Sequence, residues 1–173
     1  MRPPKSLPEL NNEWRAQVPG TLEAIDRFCV AFQLWRADTC ADLDPFSTEL
    51  ILREALTNSV IHGGAGARGH RISCVLRVKP GRILIAIQDA GQGFNWRAVW
   101  NRRSNLSDTH GRGIEILRRY ATSVRFNSAG NSVILIKHFL KVKNTHARNI
   151  ITKNINGADT NTRDINARDI RIN

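Results

Sequence analysis

The chain has 173 residues, 41% of them apolar and 24% charged, which suits one soluble domain with a real core and is too short for two comfortable ones. No run approaches the roughly 18–20 apolar residues of a membrane helix, and the Met1–Ser6 start has no apolar stretch behind it to make a signal peptide. Net charge is +11, which favours an anionic partner, but the Lys and Arg are spread without a nucleic-acid-binding signature, so nucleic acid is not expected.

Cys29, Cys40 and Cys74 fit neither a disulfide framework nor a zinc site. They read as small apolar residues in a reducing, cytoplasmic setting. Trp14–Val18 alternates like a strand and ends at Pro19-Gly20. Thr21 then caps a helix whose apolar residues Leu22, Ile25, Phe28, Cys29 and Phe32 follow helical spacing.

Asp44-Pro45 opens a second helix, with proline at the first helical position where its missing N–H costs nothing. Leu50, Ile51, Ala55 and Leu56 give it a buried side, and Gly63-Gly64 ends it. Two strands follow, Ile72, Cys74, Leu76 and Val78 on one face and Ile83, Ile85 and Ile87 on the other strand's, joined by a Lys79-Pro80-Gly81 turn. From Asp89 to Gly111 periodicity is weak, as in a functional lid or a disordered loop. A short helix over about Arg112–Tyr120 comes next, then strands near Ser123–Asn127 and Ser132–His138 with Ser128-Ala129-Gly130 between them. The pattern predicts an α+β fold, a two-layer sandwich with a mixed, mostly antiparallel sheet and helices on one face.

Three short patterns carry chemistry. Glu54, Asn58 and His62 stand four apart on the second helix and so share one stripe. An Asn amide oxygen suits Mg²⁺, and a carboxylate one turn away can accept a proton. Asp89-Ala90-Gly91-Gln92-Gly93 follows a strand, where Asp can accept a hydrogen bond from an exocyclic amine and the glycines let backbone approach a ligand. Gly111-Arg112-Gly113 opens a helix whose N–H groups suit phosphates. There is no GxxxxGK[ST] sequence, so this is not a P-loop protein. Each pattern alone is also what a solvated helix face or a plain turn looks like; their order is what distinguishes them.

In that order the sequence resembles the GHKL (Bergerat-type) ATPase superfamily. Its N box is matched by Glu54–His62, its G1 box by Asp89–Gly93 and its G2 box by Gly111–Ile114. The resemblance runs over roughly 13–139. It is most similar to the stand-alone serine-protein kinase anti-sigma factors, through Gly111–Leu117, Val124–Phe126 and Gly130–Val133. The resemblance implies ATP and Mg²⁺ as cofactors, Glu54 as general base, Asn58 as the Mg²⁺ ligand and Asp89 as the adenine acceptor. It also implies Gly91 and Gly93 as the base-side turn, with Gly111, Arg112 and Gly113 holding phosphates. His62 matches the motif but is equally explained as a helix C-terminal residue. Arg102 and Arg103 either reach phosphates or are solvated.

A sensor histidine kinase needs a phospho-accepting His ahead of the ATP domain, and no His precedes His62. The larger gyrase, chaperone and mismatch-repair types need further domains. The expected function is therefore a protein serine/threonine kinase of the anti-sigma type. It would phosphorylate a small STAS-type anti-anti-sigma protein and sequester a sigma factor or another regulator, as a homodimer. The alternative is a non-catalytic module in which ATP shapes a protein-binding surface.

The expected organisation is an extension over 1–12, the ATP-binding domain over 13–140 and a tail over 141–173. In the tail Ile150, Ile155, Thr160, Ile165 and Ile170 recur every five residues, each after Asn or Asp. This resembles pentapeptide repeats, but the inward position is small only at Ala158 and is long at Arg148, Lys153, Arg163 and Arg168. A flexible tail is expected, because low-hydrophobicity repeats seldom offset their ordering entropy.

Overall fold

The structure, a computed structural model, describes residues 12–63, 69–100 and 112–140. The pentad tail and nearly all of the N-terminal extension lie outside the described residues. In chain order the elements are β1 (Glu13–Pro19), α1 (Leu22–Thr39), α2 (Pro45–Gly63), β2 (Arg71–Lys79), β3 (Arg82–Gln88), α3 (Trp96–Trp100), α4 (Arg112–Tyr120), β4 (Ser123–Phe126) and β5 (Ser132–His138).

Both long helices begin at side-chain caps. Thr21 Oγ1 accepts from Ala24 N at 3.2 Å, and Asp44 Oδ2 accepts from Ser47 N at 3.0 Å. The Ser47 hydroxyl also donates to Asp44, and these bonds hold its carboxyl below the usual carboxylate range. Each satisfies an N–H that the helix leaves without an internal partner.

The strands form one sheet in the order β1-β2-β3-β5-β4. This is the expected α+β fold with a mostly antiparallel sheet; the one difference is that no parallel pair occurs among the described strands, every pairing being antiparallel. Two causes act together. α1 and α2 cross the sheet and return, so β2 starts where β1 ended. β3 and β4 run the same way across the intervening α3 and α4, but β5 inserts between them, so no parallel pair is adjacent.

The alternation of the strands sends Val18, Ile72, Cys74, Leu76, Ile85 and Leu135 to one face, where they are fully buried or nearly so. Register stacks them, Leu76 beside Ile85 and Ile85 beside Leu135. α1 covers this face with Ile25, Phe28 and Phe32, α2 with Ile51, Leu52 and Leu56, and α4 with Leu117. All three cysteines are buried free thiols, and burial pushes Cys29 up to about 11, so neutral thiols pack here as apolar groups.

The apolar spacing was misleading at two positions. Leu22 is 56% exposed, because the buried line of α1 runs through Ala24, Ile25, Phe28 and Phe32 and leaves it to one side. Leu50 is only half-buried; Leu52 is on the buried line of α2 instead. Among the described residues no helix is long and apolar enough to cross a membrane.

Candidate functional site

α2 supplies one wall of a cleft. Its stripe of Glu54 and Asn58 sits next to the buried line of Ala55 and Ser59, which fixes these polar side chains at the boundary of the core. The start of α4 lies directly above them. A Cβ built on Gly113 would stand 2.9 Å from Glu54 Oε2 and 3.4 Å from both Asn58 amide atoms. Glycine at 113 is what lets the helix N-terminus approach the two side chains so closely.

This approach has an electrostatic result. Burial raises the Glu54 carboxyl above the ordinary glutamate range, and the nearby Arg53 guanidinium opposes the shift without cancelling it. Asn58 Nδ2 is buried and has no hydrogen-bond partner among the described residues. An orphaned buried donor costs about 1–3 kcal/mol, and an anionic ligand in the cleft would satisfy it. Its amide oxygen is the kind of hard ligand that Mg²⁺ takes. No group of three His, Cys, Asp or Glu able to hold a metal occurs among the described residues, so any cation here would draw on Asn58 and its ligand's own oxygens.

The opposite end is built from the loop after β3. Asp89 is 6% exposed, and its Oδ1 accepts from Gly91 N at 2.8 Å. Asp89 packs against the last residue of α2: a Cβ on Gly63 would come within 2.4 Å of the carboxyl. Gly91 lies against the same residue, where a Cβ would meet Gly63 O at 2.0 Å. Gly93 is left-handed at φ +77, and a Cβ there would meet Ala129 O at 2.1 Å. The glycines thus permit backbone to touch backbone on both sides of Asp89. A solvent-open cleft runs from Asn58 to Asp89 and is lined by these two with Phe94, Leu117, Phe126 and Asn131 among others.

Two parts of the site were not legible beforehand. The first is an asparagine clamp. Asn131 O accepts from Asp89 N at 3.0 Å, while Asn131 Nδ2 donates to Gly91 O at 2.9 Å. Asn127 holds Asn131 in place through its own amide (2.7 Å to Asn131 Oδ1) and closes the turn by accepting from Gly130 N at 2.7 Å. Asn-x₃-Asn around a glycine was the available signal, but it reads as an ordinary turn. Asn131→Ala is expected to keep the fold and weaken adenine-nucleotide binding about fivefold, since one clamp bond is worth on the order of 1 kcal/mol. A nucleotide titration alongside a thermal melt separates this from general destabilisation; unchanged affinity would exclude a role for the clamp.

The second is an aromatic run. The ring of His62 stacks on Phe94 at 4.8 Å, Phe94 meets Phe126 edge-on at 5.7 Å, and Trp96 stacks on Phe126 at 5.4 Å. His62 therefore packs at the rim of the cleft. Trp96 opens α3, a turn of helix that the weak periodicity of the segment concealed, and its Nε1 donates to Asn127 O at 2.8 Å. The far end of α3 is held from α4, where Arg118 Nη1 donates to Trp100 O at 3.1 Å and its guanidinium lies over the Trp100 ring.

Arg112 is the exposed first residue of α4. Gly111, Arg102, Arg103 and the other residues of 101–111 lie outside the described residues; the first part of the expected lid, up to residue 100, is described and holds α3. Of the expected site residues, the structure brings Glu54, Asn58 and Gly113 to one end and Asp89, Gly91 and Gly93 to the other.

A family model described as a histidine kinase-like ATPase domain matches residues 18–137. The chain belongs to the histidine kinase-like ATPase family. The matched span contains both ends of the cleft, and membership implies that this histidine kinase-like ATPase domain binds ATP. Among solved structures 18 chains match. One is the histidine kinase domain from the Erythrobacter litoralis EL346 blue-light activated histidine kinase, at 16% identity and a TM-score of 0.43. The alignment covers 70% of this chain and 60% of that one, so the histidine kinase-like ATPase domain described here spans less than two thirds of its length. No curated protein matches.

Proposed function

We propose that the chain is an ATP-dependent protein serine/threonine kinase of the anti-sigma-factor type. Its substrate would be a small STAS-type anti-anti-sigma protein, and in its other role it would sequester a sigma factor or a comparable regulator. The observation that carries this reading is the pairing of Glu54, half-buried and raised in pKa, with the unpartnered Asn58 amide beneath Gly113. It supplies a proton acceptor and an anion-seeking group side by side. A base tuned upward toward the working pH is better placed to take a proton as a bond forms than an ordinary surface glutamate.

In this reading Glu54 accepts the proton of a Ser or Thr hydroxyl as that oxygen bonds to the γ-phosphorus. The bond from the γ-phosphorus to the β–γ bridging oxygen breaks, and ADP leaves. Asn58 and the α4 N-terminus at Arg112 and Gly113 hold the phosphate end, a role that the family resemblance also implies for Gly111. Asp89 selects adenine by accepting from its exocyclic amine, with Gly91 and Gly93 shaping the turn that admits the base. Asn58 would hold Mg²⁺ through its amide oxygen, and the ion would offset negative charge on the phosphates. The activity is placed in the cytoplasm, where ATP is available, and the working unit is taken as a homodimer.

The test is incubation of the purified protein with γ-labelled ATP, Mg²⁺ and cell extract, followed by phosphosite mapping. Label on Ser or Thr of a STAS-type protein is expected. ATP binding with no label in any protein would replace the kinase by a non-catalytic module whose protein-binding surface ATP shapes.

A further inference from the structure

Among the described residues the helices α1, α2 and α4 pack on one face of the sheet, and the other face has a composition of its own. Its outward pleat carries an aliphatic strip, Val75, Ala86 and Ile134 in one row and Leu84 and Ile136 in the next. Ile134 is 39% exposed. The strip crosses β2, β3 and β5, about 10 Å at the usual strand spacing, which is close to the roughly 10–12 Å diameter of one helix with its side chains.

Cations frame the strip. Arg15 and Arg125 stand at the two ends of the first row, and Arg77 flanks the second. Arg71, Lys79 and Arg82 lie at the strand ends on the same pleat. Glu13 is the single carboxylate on this pleat. It is gripped by Arg15 at 2.6 Å and by Arg77, and the Arg77 hydrogen bond is the chief cause holding its carboxyl below the usual range. The face thus already takes one carboxylate between two arginines. Arg71, Lys79, Arg82 and Arg125 have no ion pair with any described residue.

Charge narrows the occupant. The chain beyond Leu140 is itself basic, with more Lys and Arg than Asp and no Glu, so it does not complement this face. A second copy packed symmetrically would oppose arginine to arginine, because a two-fold interface presents the same patch from both sides. Single-stranded nucleic acid is disfavoured because this pleat carries no Phe, Tyr or Trp and its one ring, His138, stands at a strand end beside Arg82, whereas successive bases need a run of stacking platforms. What matches an aliphatic strip one helix wide with a basic rim is an apolar helix stripe flanked by carboxylates.

The geometry points to the open sheet face as a docking surface for an acidic amphipathic helix of a partner protein, distinct from the nucleotide cleft. Such a helix supplies the missing third layer, and its carboxylates engage Arg82 and Arg125 as Glu13 engages Arg15 and Arg77. The complex is a transient, salt-sensitive one, because the apolar strip is small and the rim charges are solvent-exposed.

The probe is a fluorescein-labelled helical peptide with a leucine stripe flanked by glutamates, compared by anisotropy with its lysine-flanked counterpart on the full chain. The glutamate peptide should bind, losing affinity about tenfold between low and physiological salt. Arg82→Glu/Arg125→Glu should weaken it at least about tenfold, while Arg82→Lys/Arg125→Lys keeps binding within about threefold at the same salt; circular dichroism checks that both fold. Equal binding of the two peptides, or no effect of charge reversal, would overturn the proposal. So would a dimer that Ile134→Asp dissociates, which gives the face to a second copy, or reversal-sensitive binding of an oligonucleotide in place of the peptide.

Discussion

Glu54→Gln is expected to lower the phosphotransfer rate about 10²–10⁴-fold, the usual contribution of a positioned general base, with nucleotide affinity little changed. The amide keeps the shape and the hydrogen-bonding reach of the carboxyl beneath Gly113 but cannot take the proton. The pH profile gives a second readout. Because burial raises the Glu54 carboxyl, the wild-type rate should rise with pH along a limb displaced above the ordinary glutamate range. That limb should vanish in the variant.

Stability has the opposite sign. A carboxyl whose folded-state pKa is raised contributes stability below its unfolded pKa and loses it as pH rises through the folded one. At neutral pH the ionised, half-buried Glu54 therefore costs stability. Glu54→Gln should melt slightly higher than wild type at neutral pH, and the advantage should disappear in acid where Glu54 is protonated. Wild-type phosphotransfer in the variant would remove Glu54 from the chemistry.

Gly91→Ala is expected to destabilise the domain by about 3 kcal/mol, the upper end for overpacking, and to abolish adenine-nucleotide binding. The added Cβ would meet backbone rather than a side-chain tip, with Gly63 O at 2.0 Å and Gly63 C at 2.4 Å. Neither α2 nor the Asp89 loop can give way alone. Gly63 ends a helix anchored in the core, and Gly91 O is held by Asn131. A melting temperature roughly 10 °C lower, with no detectable ATP in a titration below the melt, is the expected pair of results. A variant that melts and binds like wild type would show that this backbone contact does not exist in solution.

The elements with strong periodicity were legible because one physical signal fixed each of them. Ile83, Ile85 and Ile87 could only be a strand with one buried face, and Asp44-Pro45 could only start a helix. The sheet's all-antiparallel order was not legible, because the insertion of β5 between β3 and β4 is a long-range choice that no local pattern records. α3 was hidden for a different reason: a five-residue turn of helix has too little length to show a period, and Trp96 is held by Phe126 and Asn127, which are distant in sequence.

The candidate site divides in the same way. Glu54, Asn58, Asp89, Gly91 and Gly93 stand in motifs whose order carries information. Asn131 falls within the Gly130–Val133 match, but its clamping role was not legible there, since its partner is the carbonyl of Gly91 and a carbonyl has no sequence identity. Gly63 reads as the close of a helix, and only the packed structure reveals that it is the floor on which Asp89 rests.

That floor sets a length. Glu54 and Gly63 belong to the same helix, nine residues apart, so about 13 Å at 1.5 Å per residue separates the level of the phosphate end from that of the base end. α2 is thereby a ruler, anchored in the core and unable to stretch. The two ends of the cleft cannot adjust independently to a longer or shorter ligand. α4 packs against the ruler and α3 packs on α4 in turn, so adjustment to a ligand falls to them while the graduations stay fixed. Inserting one residue into α2 between Glu54 and Gly63 would turn the two ends about 100° out of phase, a larger disturbance to the site than the loss of any one of its side chains.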